Sequence, residues 1–309
     1  MTMEPIFNRL CLIGIGLIGA SIALRAKRDN VVGSIAISSR SQETLDRARE
    51  LGLGDEYFLN AADAVKDADC VVLCTPVGAF GPVSKTIGDH LKEGAIVTDV
   101  GSVKESAIEL IAPNLPAGVH LIPGHPIAGT EYSGPDAGFA TLFDNRWCLL
   151  TPLEGTPKSE IDKLVQFWKR LGSVVETMDA KHHDRVLAVT SHIPHLIAYN
   201  IVGTASDLEE VTASEVIKFS ASGFRDFTRI AASDPEMWRD VFLYNRSAVL
   251  EMLGRFSEDL FYLQKAVRNG DGDLLFEHFS KTRAIRSGII KAGQEADVPN
   301  FGRDQIEDE

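Results

Sequence analysis

The first half of the chain alternates short apolar runs with segments of helical periodicity. Five apolar runs have the length of buried strands, at residues 9–13, 34–38, 69–74, 94–100 and 120–123. Helical patterns follow the first two runs after short turns. Strands that alternate with helices in this way predict an α/β fold with a doubly wound, mainly parallel sheet.

Two further strands are predicted at residues 145–152 and 173–178, with a helix at 158–171 between them. We expect this βαβ unit to extend the same sheet. The pattern is almost entirely helical from His182 onward. The sequence therefore predicts a first domain at 1–180, a helical domain at 181–302 and an acidic tail at 303–309.

The helical half has a high apolar content. We predict helices at residues 184–203, 209–221, 235–255, 256–268 and 273–296. Several of them are too apolar to be covered within a small satellite domain. A homodimer formed by this half would bury the excess apolar surface.

Composition and net charge limit the classes of protein and of partner that can be expected for this chain. Of 309 residues, 44% are hydrophobic and 24% are charged, which is typical of a globular protein. With 31 Lys and Arg against 44 Asp and Glu, the net charge is -13. Nucleic acid and anionic membrane surfaces are therefore excluded as expected partners. A protein of this charge must concentrate its cations in the site if its substrate is an anion.

The cysteines and the N-terminus indicate the compartment. The four cysteines lie in apolar runs without metal-ligand or disulfide spacing, so we expect reduced core residues and no metal. No signal peptide is expected, and no apolar run is judged long enough to span a bilayer. A cytoplasmic location is the default expectation.

A glycine-rich turn follows the first apolar run and precedes a helix. This order of strand, turn and helix makes GxGxxG a credible dinucleotide site and predicts a Rossmann-type sheet. A helix N-terminus at this turn would present free N–H groups to a pyrophosphate. The predicted contacts are Gly14, Ile15, Gly16, Leu17, Ile18 and Gly19, with Thr75 and Pro76 after a neighbouring strand.

The end of the second strand determines the predicted nucleotide. NAD sites usually carry an acidic residue there, which binds the ribose 2′-OH. This chain has Ser39, Arg40 and Ser41 instead. Because an arginine flanked by hydroxyl groups suits a 2′-phosphate, we predict NADP, with NAD as the alternative.

His125 is the first candidate for proton transfer. It lies in the segment GHPIAGTE, residues 124–131, and a strand ending at residues 123–124 would leave it at the carboxyl edge of the sheet. Ligands bind at that edge, and histidine exchanges protons near neutral pH. Ser102 is expected at the same edge, although a helix N-cap is the more probable role for a serine alone. Lys104 is interpreted as a supporting or surface residue.

The helical half adds candidate ligands for an anion. In SHIPH, residues 191–195, the proline should disturb the helix and turn a histidine sideways, and we favour His192 over His195 for function. Arg225 and Arg229 suit carboxylate recognition, although an ion pair with Asp226 or Asp234 is an equally good interpretation for Arg225. Trp238 is most simply a core or interface residue.

Together these motifs resemble the prephenate/arogenate (cyclohexadienyl) dehydrogenases of tyrosine biosynthesis. Four stretches carry the resemblance beside the glycine turn: DVGS, GHPIAGTE, SHIPH and FRDFTRIAxSDPxMWRD. They occur in the family's order over nearly the whole chain. The resemblance implies oxidative decarboxylation of prephenate or arogenate with hydride transfer to NAD(P).

The resemblance also implies roles for single residues. His125 would take the proton of the ring hydroxyl while Ser102 orients it. The positions that match the family's substrate-binding residues are Thr130, His192, Arg229 and Arg225, with Glu131 and a partner subunit's Trp238 at the pocket entrance. Ser39 replaces the family's acidic residue after the second strand, which is what places NAD in question. Nothing in the residues distinguishes prephenate from arogenate.

Two alternatives remain open at this point. A β-hydroxyacid dehydrogenase shares the two-part organisation but usually relies on a lysine in the helical half. A non-catalytic dinucleotide sensor would keep the glycine turn without needing His125, His192 and Arg229 together.

Overall fold

The computed structural model describes residues 4–130, 132–212 and 222–289. It divides into two compact units, Met1–Met252 and Leu253–Glu309. All the side chains discussed below as a site belong to the first unit. Glu131, most of the helix expected at 209–221 and the tail at 303–309 lie outside the described residues.

A parallel sheet of six strands forms the centre of the first unit. The strands are β1 (Phe7–Ile13), β2 (Val32–Ser38), β3 (Glu56–Phe58), β4 (Cys70–Leu73), β5 (Ile96–Asp99) and β6 (His120–Leu121). Their order in the sheet is β3-β2-β1-β4-β5-β6, so the direction in which successive strands are added reverses between β1 and β4. Ligands of such sheets bind beyond the carboxyl ends of the strands at this switch point.

Both faces of this sheet are covered, which explains why its strands are continuous apolar runs. The helices of this half are α1 (Leu17–Arg28), α2 (Gln42–Glu50), α3 (Ala61–Ala64), α4 (Phe80–Ile87), α5 (Glu105–Ile111) and α6 (Lys158–Arg170). Alternate side chains of β1 enter different cores: Leu10 and Leu12 pack with α1 on one face, Cys11 and Ile13 with α4 and α5 on the other.

A second sheet of three strands carries His125. Strand β7 (Gly124–Pro126) runs antiparallel to β8 (Trp147–Leu150), which is parallel to β9 (Val174–Thr177). The prediction that this βαβ unit extends the first sheet was therefore wrong. Ile122 N still donates to Val97 O, but the next N–H on that side, of Gly124, donates to the side chain of Asp99, so the chain leaves the first sheet there.

The helical half differs from prediction in its boundaries. Helix α7 (Ala180–Leu187) continues through a π-helical turn, Ala188–His192, into α8 (Ile193–Thr212). The predicted break between residues 255 and 256 is absent, and the break lies at Asn245 instead. The remaining helices are α9 (Ser222–Thr228), α10 (Pro235–Tyr244), α11 (Arg246–Asn269) and α12 (Gly272–Ile289), with a 3-10 turn at Arg229–Ala232.

One helical stretch contradicts the expectation that no apolar run is long enough to span a bilayer. Ala180–Asp207 is long and apolar enough, by length and composition, to cross a membrane, with a mean hydropathy of 1.3 in its most apolar window. The stretch also contains His183 and Asp184, ionisable residues that are costly inside a bilayer and are here buried against protein. Of the most apolar window of this stretch, 28% is buried in the structure.

Candidate active site

The glycine turn has the shape that a dinucleotide requires. Gly14 has a φ of +92°, and a Cβ there would lie 2.8 Å from Cys74 O. A Cβ on Gly19 would meet Gly14 O at 2.6 Å, so helix α1 packs too closely for any side chain there. Gly16 has open space on the side where its Cβ would point, and α1 begins without a side-chain cap. Its first N–H groups are therefore available to a pyrophosphate.

The neighbouring loop after β4 contributes to the same edge. The methyl group of Thr75 lies 3.1 Å from the position of a Cβ on Gly14, so Thr75 lines the glycine turn. Within the described residues its buried hydroxyl has no hydrogen-bond partner. Pro76 follows it on the exposed side of the loop. Both predicted residues thus stand beside the predicted nucleotide site.

The end of β2 carries the three residues expected to select the nucleotide. Ser41 caps α2 by accepting a hydrogen bond from Thr44 N, at 3.2 Å. Ser39 Oγ accepts a longer one from Ser41 N, at 3.4 Å. Arg40 is exposed, and in the described part of the chain it forms no ion pair. Hydroxyl groups and one cation, without a carboxylate, therefore stand at residues 39–41.

His125 is buried at the start of a chain of hydrogen bonds. Its Nδ1 lies 2.9 Å from His183 Nε2, and His183 Nδ1 lies 2.8 Å from Asp184 Oδ1. Burial, followed by the neighbouring His183, lowers the pKa of His125 well below its usual value. His125 is therefore a neutral imidazole at pH 7 and can accept a proton.

Asp184 connects this chain of contacts to helix α5. Its carboxylate accepts hydrogen bonds from Lys104 N at 2.8 Å and Glu105 N at 2.9 Å. The prediction that Ser102 caps this helix was wrong, because Asp184 reaches the same N–H groups from α7. Ser102 lies in the preceding loop and is only partly buried.

Lys104 is fully buried rather than a surface residue. Its ammonium group pairs with Asp99 and donates to Gly124 O at 2.6 Å. Asp99 also accepts from Gly101 N at 2.8 Å and Gly124 N at 3.3 Å. The ion pair thus ties the end of β5 to the residue that precedes His125.

His192 occupies the π-helical turn next to Pro194, as the predicted helix disturbance implies. Its Nδ1 lies 3.1 Å from the amide nitrogen of Asn245, which also donates to Asp184 O at 2.9 Å. Burial lowers the pKa of His192 to about 4, opposed by Asp184 and by the nearby backbone of Ser102. His192 and Ser102 are therefore neighbours.

Two buried ring nitrogens in this region lack partners. His192 Nε2 and Trp238 Nε1 form no hydrogen bond within the residues that the structure describes. The two rings meet edge to face, with centroids 6.0 Å apart. Unsatisfied buried polar groups are costly in a stable protein, so both nitrogens are suited to bind a polar ligand. Trp238 contacts histidines of its own chain, and the partner-subunit position implied by the resemblance stays a prediction.

His195 lies in the first turn of α8, and Arg229 begins the 3-10 turn Arg229–Ala232. His195 stacks on Trp238 with centroids 3.6 Å apart and bonds to Ser191 O at 2.8 Å. Burial lowers the pKa of His195, and the charge of Arg229 contributes to that shift. Arg229 therefore stands close to the His195–Trp238 stack.

The other two predicted substrate residues are exposed. Arg225 lies on α9, one helical turn before Arg229. Thr130 lies in the segment after β7, where its hydroxyl accepts from Tyr132 N at 3.3 Å. Among the residues that the structure describes, no contact places either side chain against His125. Glu131 lies outside the described residues.

Sequence reasoning missed three members of the site: His183, Asp184 and Asn245. One signal was present, because His183 and Asp184 precede the apolar residues Leu187 and Ala188 by one helical turn. Polar residues on an apolar helix face are buried with them and must find partners. Asn245 carried no comparable signal, since the predicted helix ran through it.

Comparison with known families agrees with this geometry. The family model described as the nucleotide-binding domain of prephenate dehydrogenase matches residues 22–177. The one described as its dimerization domain matches residues 179–281. These two matches together cover most of the chain.

Similar proteins support the same assignment. A cyclohexadienyl dehydrogenase of Zymomonas mobilis is 42% identical over 92% of this chain and 97% of its own length. A prephenate dehydrogenase of Bacillus subtilis is 31% identical over 97% and 80%. The crystal structure of a prephenate dehydrogenase from A. aeolicus, in complex with hydroxyphenyl propionate and NAD+, superposes with a TM-score of 0.83 and 32% identity, covering 94% of this chain and 99% of that one. The β-hydroxyacid dehydrogenase and sensor alternatives have no support in these matches.

Proposed function

Since the chain belongs to the prephenate dehydrogenase family of NAD(P)-dependent oxidoreductases, we propose which residues perform its oxidative decarboxylation and which nucleotide it prefers. The substrate is prephenate, arogenate or both. The observation that carries the proposal is one hydrogen-bonded cluster, in which His125 contacts His183, His183 contacts Asp184, and Asn245 bonds to both Asp184 and His192.

His125 acts as the base in this proposal. It accepts the proton of the ring hydroxyl, and the partly buried Ser102 orients that hydroxyl. The nicotinamide, when bound, accepts the hydride from the carbon that carries the hydroxyl. Loss of CO2 then leaves an aromatic ring, which makes the overall step strongly downhill. The neutral state of His125 supports this role, because only a neutral imidazole can accept the proton.

The helical half binds the substrate in this proposal. The unpartnered nitrogens of His192 and Trp238 suit its polar groups, and Arg229 beside the His195–Trp238 stack suits a carboxylate. Arg225, Thr130 and Glu131 are proposed as contacts on the resemblance alone.

NADP is the proposed nucleotide. Gly14, Gly16 and Gly19 accommodate a pyrophosphate, and residues 39–41 offer an arginine and hydroxyl groups without a carboxylate. The A. aeolicus structure contains NAD+, so the preference must be measured. Arg40→Ala should raise the KM for NADP about tenfold, the loss of roughly one charge-assisted hydrogen bond, and leave the KM for NAD unchanged. Arg28→Ala, another exposed arginine, is the matched control. A wild-type preference for NAD would refute the assignment.

We further propose a cytoplasmic homodimer with a division near residue 180. The dimerization-domain match supports the dimer and the free, mostly buried cysteines support a reducing compartment. Steady-state kinetics with both substrates and both nucleotides tests the proposed function as a whole. Absence of reduced nucleotide in all four combinations would overturn it.

A further inference from the structure

His125 shares one nitrogen with a second buried histidine, which leaves the other nitrogen for chemistry. Its Nδ1 lies 2.9 Å from His183 Nε2. Within the described residues its Nε2 forms no hydrogen bond, and His125 retains 8% of its surface exposed. Which nitrogen carries the proton decides whether Nε2 can act as a base.

Asp184 determines which nitrogen donates in each hydrogen bond of the series His125–His183–Asp184. Its carboxylate already accepts the backbone N–H groups of Lys104 and Glu105 at the positive end of helix α5. A carboxylate in this setting is an acceptor only. The contact of 2.8 Å between its Oδ1 and His183 Nδ1 therefore requires that His183 Nδ1 carries a proton and donates it.

The tautomer of His125 follows from that of His183. Burial lowers the pKa of His183, so its ring is neutral and has only one N–H. With the proton on Nδ1, its Nε2 is an acceptor, and His125 Nδ1 must be the donor of the contact between the rings. The lone pair of His125 is then on Nε2.

We propose that His183 is a positioning residue, held by Asp184, which fixes His125 in the Nδ1–H tautomer and makes Nε2 the base. This rests on the proposed function, in which His125 takes the hydroxyl proton. That proton moves from the substrate oxygen to Nε2, while the Nδ1 proton remains in its bond to His183. The positive charge on His125 is then stabilised through His183 by the carboxylate of Asp184.

The tautomer is measurable without substrate. In protein labelled with 15N-histidine, the shifts of the two ring nitrogens identify which is protonated, and the His125 signals are assigned by their loss in His125→Asn. We expect the Nδ1–H form in the wild type. In His183→Phe, His125 should lose this preference. An Nε2–H form in the wild type, or an unchanged tautomer in His183→Phe, would overturn the proposal.

Kinetics provide a second, independent test. His183→Phe should lower kcat roughly ten- to a hundredfold, the range for partners that orient a functional histidine, with KM values unchanged. His183→Gln keeps an oxygen that can accept from His125 Nδ1, so it should recover most of the loss. His182→Phe, the same change at the exposed neighbouring residue, is the matched control. If glutamine restored nothing in a folded variant with normal nucleotide affinity, His183 would not act through this bond.

Different results would refute the proposed function and the proposed role of His183. A protein with His125 in the Nδ1–H form that oxidises neither prephenate nor arogenate would refute the function and leave the tautomer intact. An active enzyme with His125 in the Nε2–H form would refute the role of His183 alone. The wild-type spectrum decides the tautomer even if His183→Phe does not fold.

Discussion

Burial sets the protonation state of each histidine in the site. Removal from water disfavours the charged form and lowers the pKa of His125, His183, His192 and His195. For His125 this means that the base is in its active form at neutral pH. The acid limb of kcat/KM should therefore lie below pH 6.5, the ordinary histidine value.

Replacement of His125 tests its role directly. His125→Asn should lower kcat by roughly two to four orders of magnitude, because a positioned acid-base group is lost. Affinity for the nucleotide, measured by titration, should not change since the glycine turn is untouched. His120→Asn, a partly buried histidine at the start of β6, is the control. Near-normal turnover of the His125 variant would show that another group is the base.

Hydrogen bonds between pairs of elements hold the residues of the site in place. Asp184 on α7 caps α5, Asn245 after α10 joins Asp184 to His192, and Lys104 joins β5 to β7. The cap connects α5 of the sheet half with the helix that carries His183, the asparagine links two parts of the helical half, and the lysine links two strands of the sheet half. The buried ion pair of Lys104 and Asp99 is the connection nearest to His125.

Removal of one member of the buried ion pair should destabilise the folded protein. Lys104→Met should lower the free energy of unfolding by about 3–5 kcal/mol, because Asp99 would be left as an uncompensated buried charge. Lys104→Met combined with Asp99→Asn should cost less than Lys104→Met alone. Lys92→Met, which removes the exposed pair with Asp69, should cost less than about 1 kcal/mol. Urea denaturation measures all three. An equal loss at both lysines would contradict the buried pair.

Over the whole molecule, the buried histidines couple stability to pH. Their folded pKa values lie below the unfolded value of 6.5, so the unfolded state binds more protons as the pH falls. Stability that is fully present above about pH 6.5 is therefore lost as the pH falls towards the folded values.

His192 allows this coupling to be measured. Its pKa of about 4 predicts that, between about pH 6 and pH 4, the free energy of unfolding falls by up to about 1.4 kcal/mol per pH unit for this residue alone. His192→Phe should flatten the slope in that window, whereas His182→Phe at an exposed position should not. Urea denaturation at several pH values gives the slopes. Equal slopes in wild type and His192→Phe would contradict the prediction.

The helical half should form the dimer. Phe276 and Phe279 on α12 are 75% and 56% exposed in the isolated chain. Phe276→Asp with Phe279→Asp should shift the protein from dimer to monomer, because the association would have to bury charge. Leu59→Asp, at an equally exposed apolar residue of the sheet half, should leave the dimer intact. Sedimentation velocity distinguishes the two results. A monomeric wild type would refute the dimer.

The glycine turn and the strands beside it were predictable because local physics determines them. Gly14 needs its positive φ wherever this turn forms, and a strand buried on both faces is apolar throughout. A disturbance of the helix near His192 was predicted from Pro194, which acts on its own helix; its form as a π-helical turn was not. The predicted cap at Ser102 and the predicted extension of the first sheet were wrong, because the partner comes from a distant part of the chain in each case. Asp184 caps α5, and β8 pairs with β7.

The sequence by itself determined the alternation of strands and helices, the nucleotide turn and His125 as a candidate base, because each depends on residues within a few positions of one another. Only the tertiary structure decided that His125 meets His183, 58 residues away, that Asp184 caps α5 and that Lys104 is buried. Those contacts arise from the packing of α7 against the sheet half, and residues so far apart in the chain carry no local pattern that records their pairing.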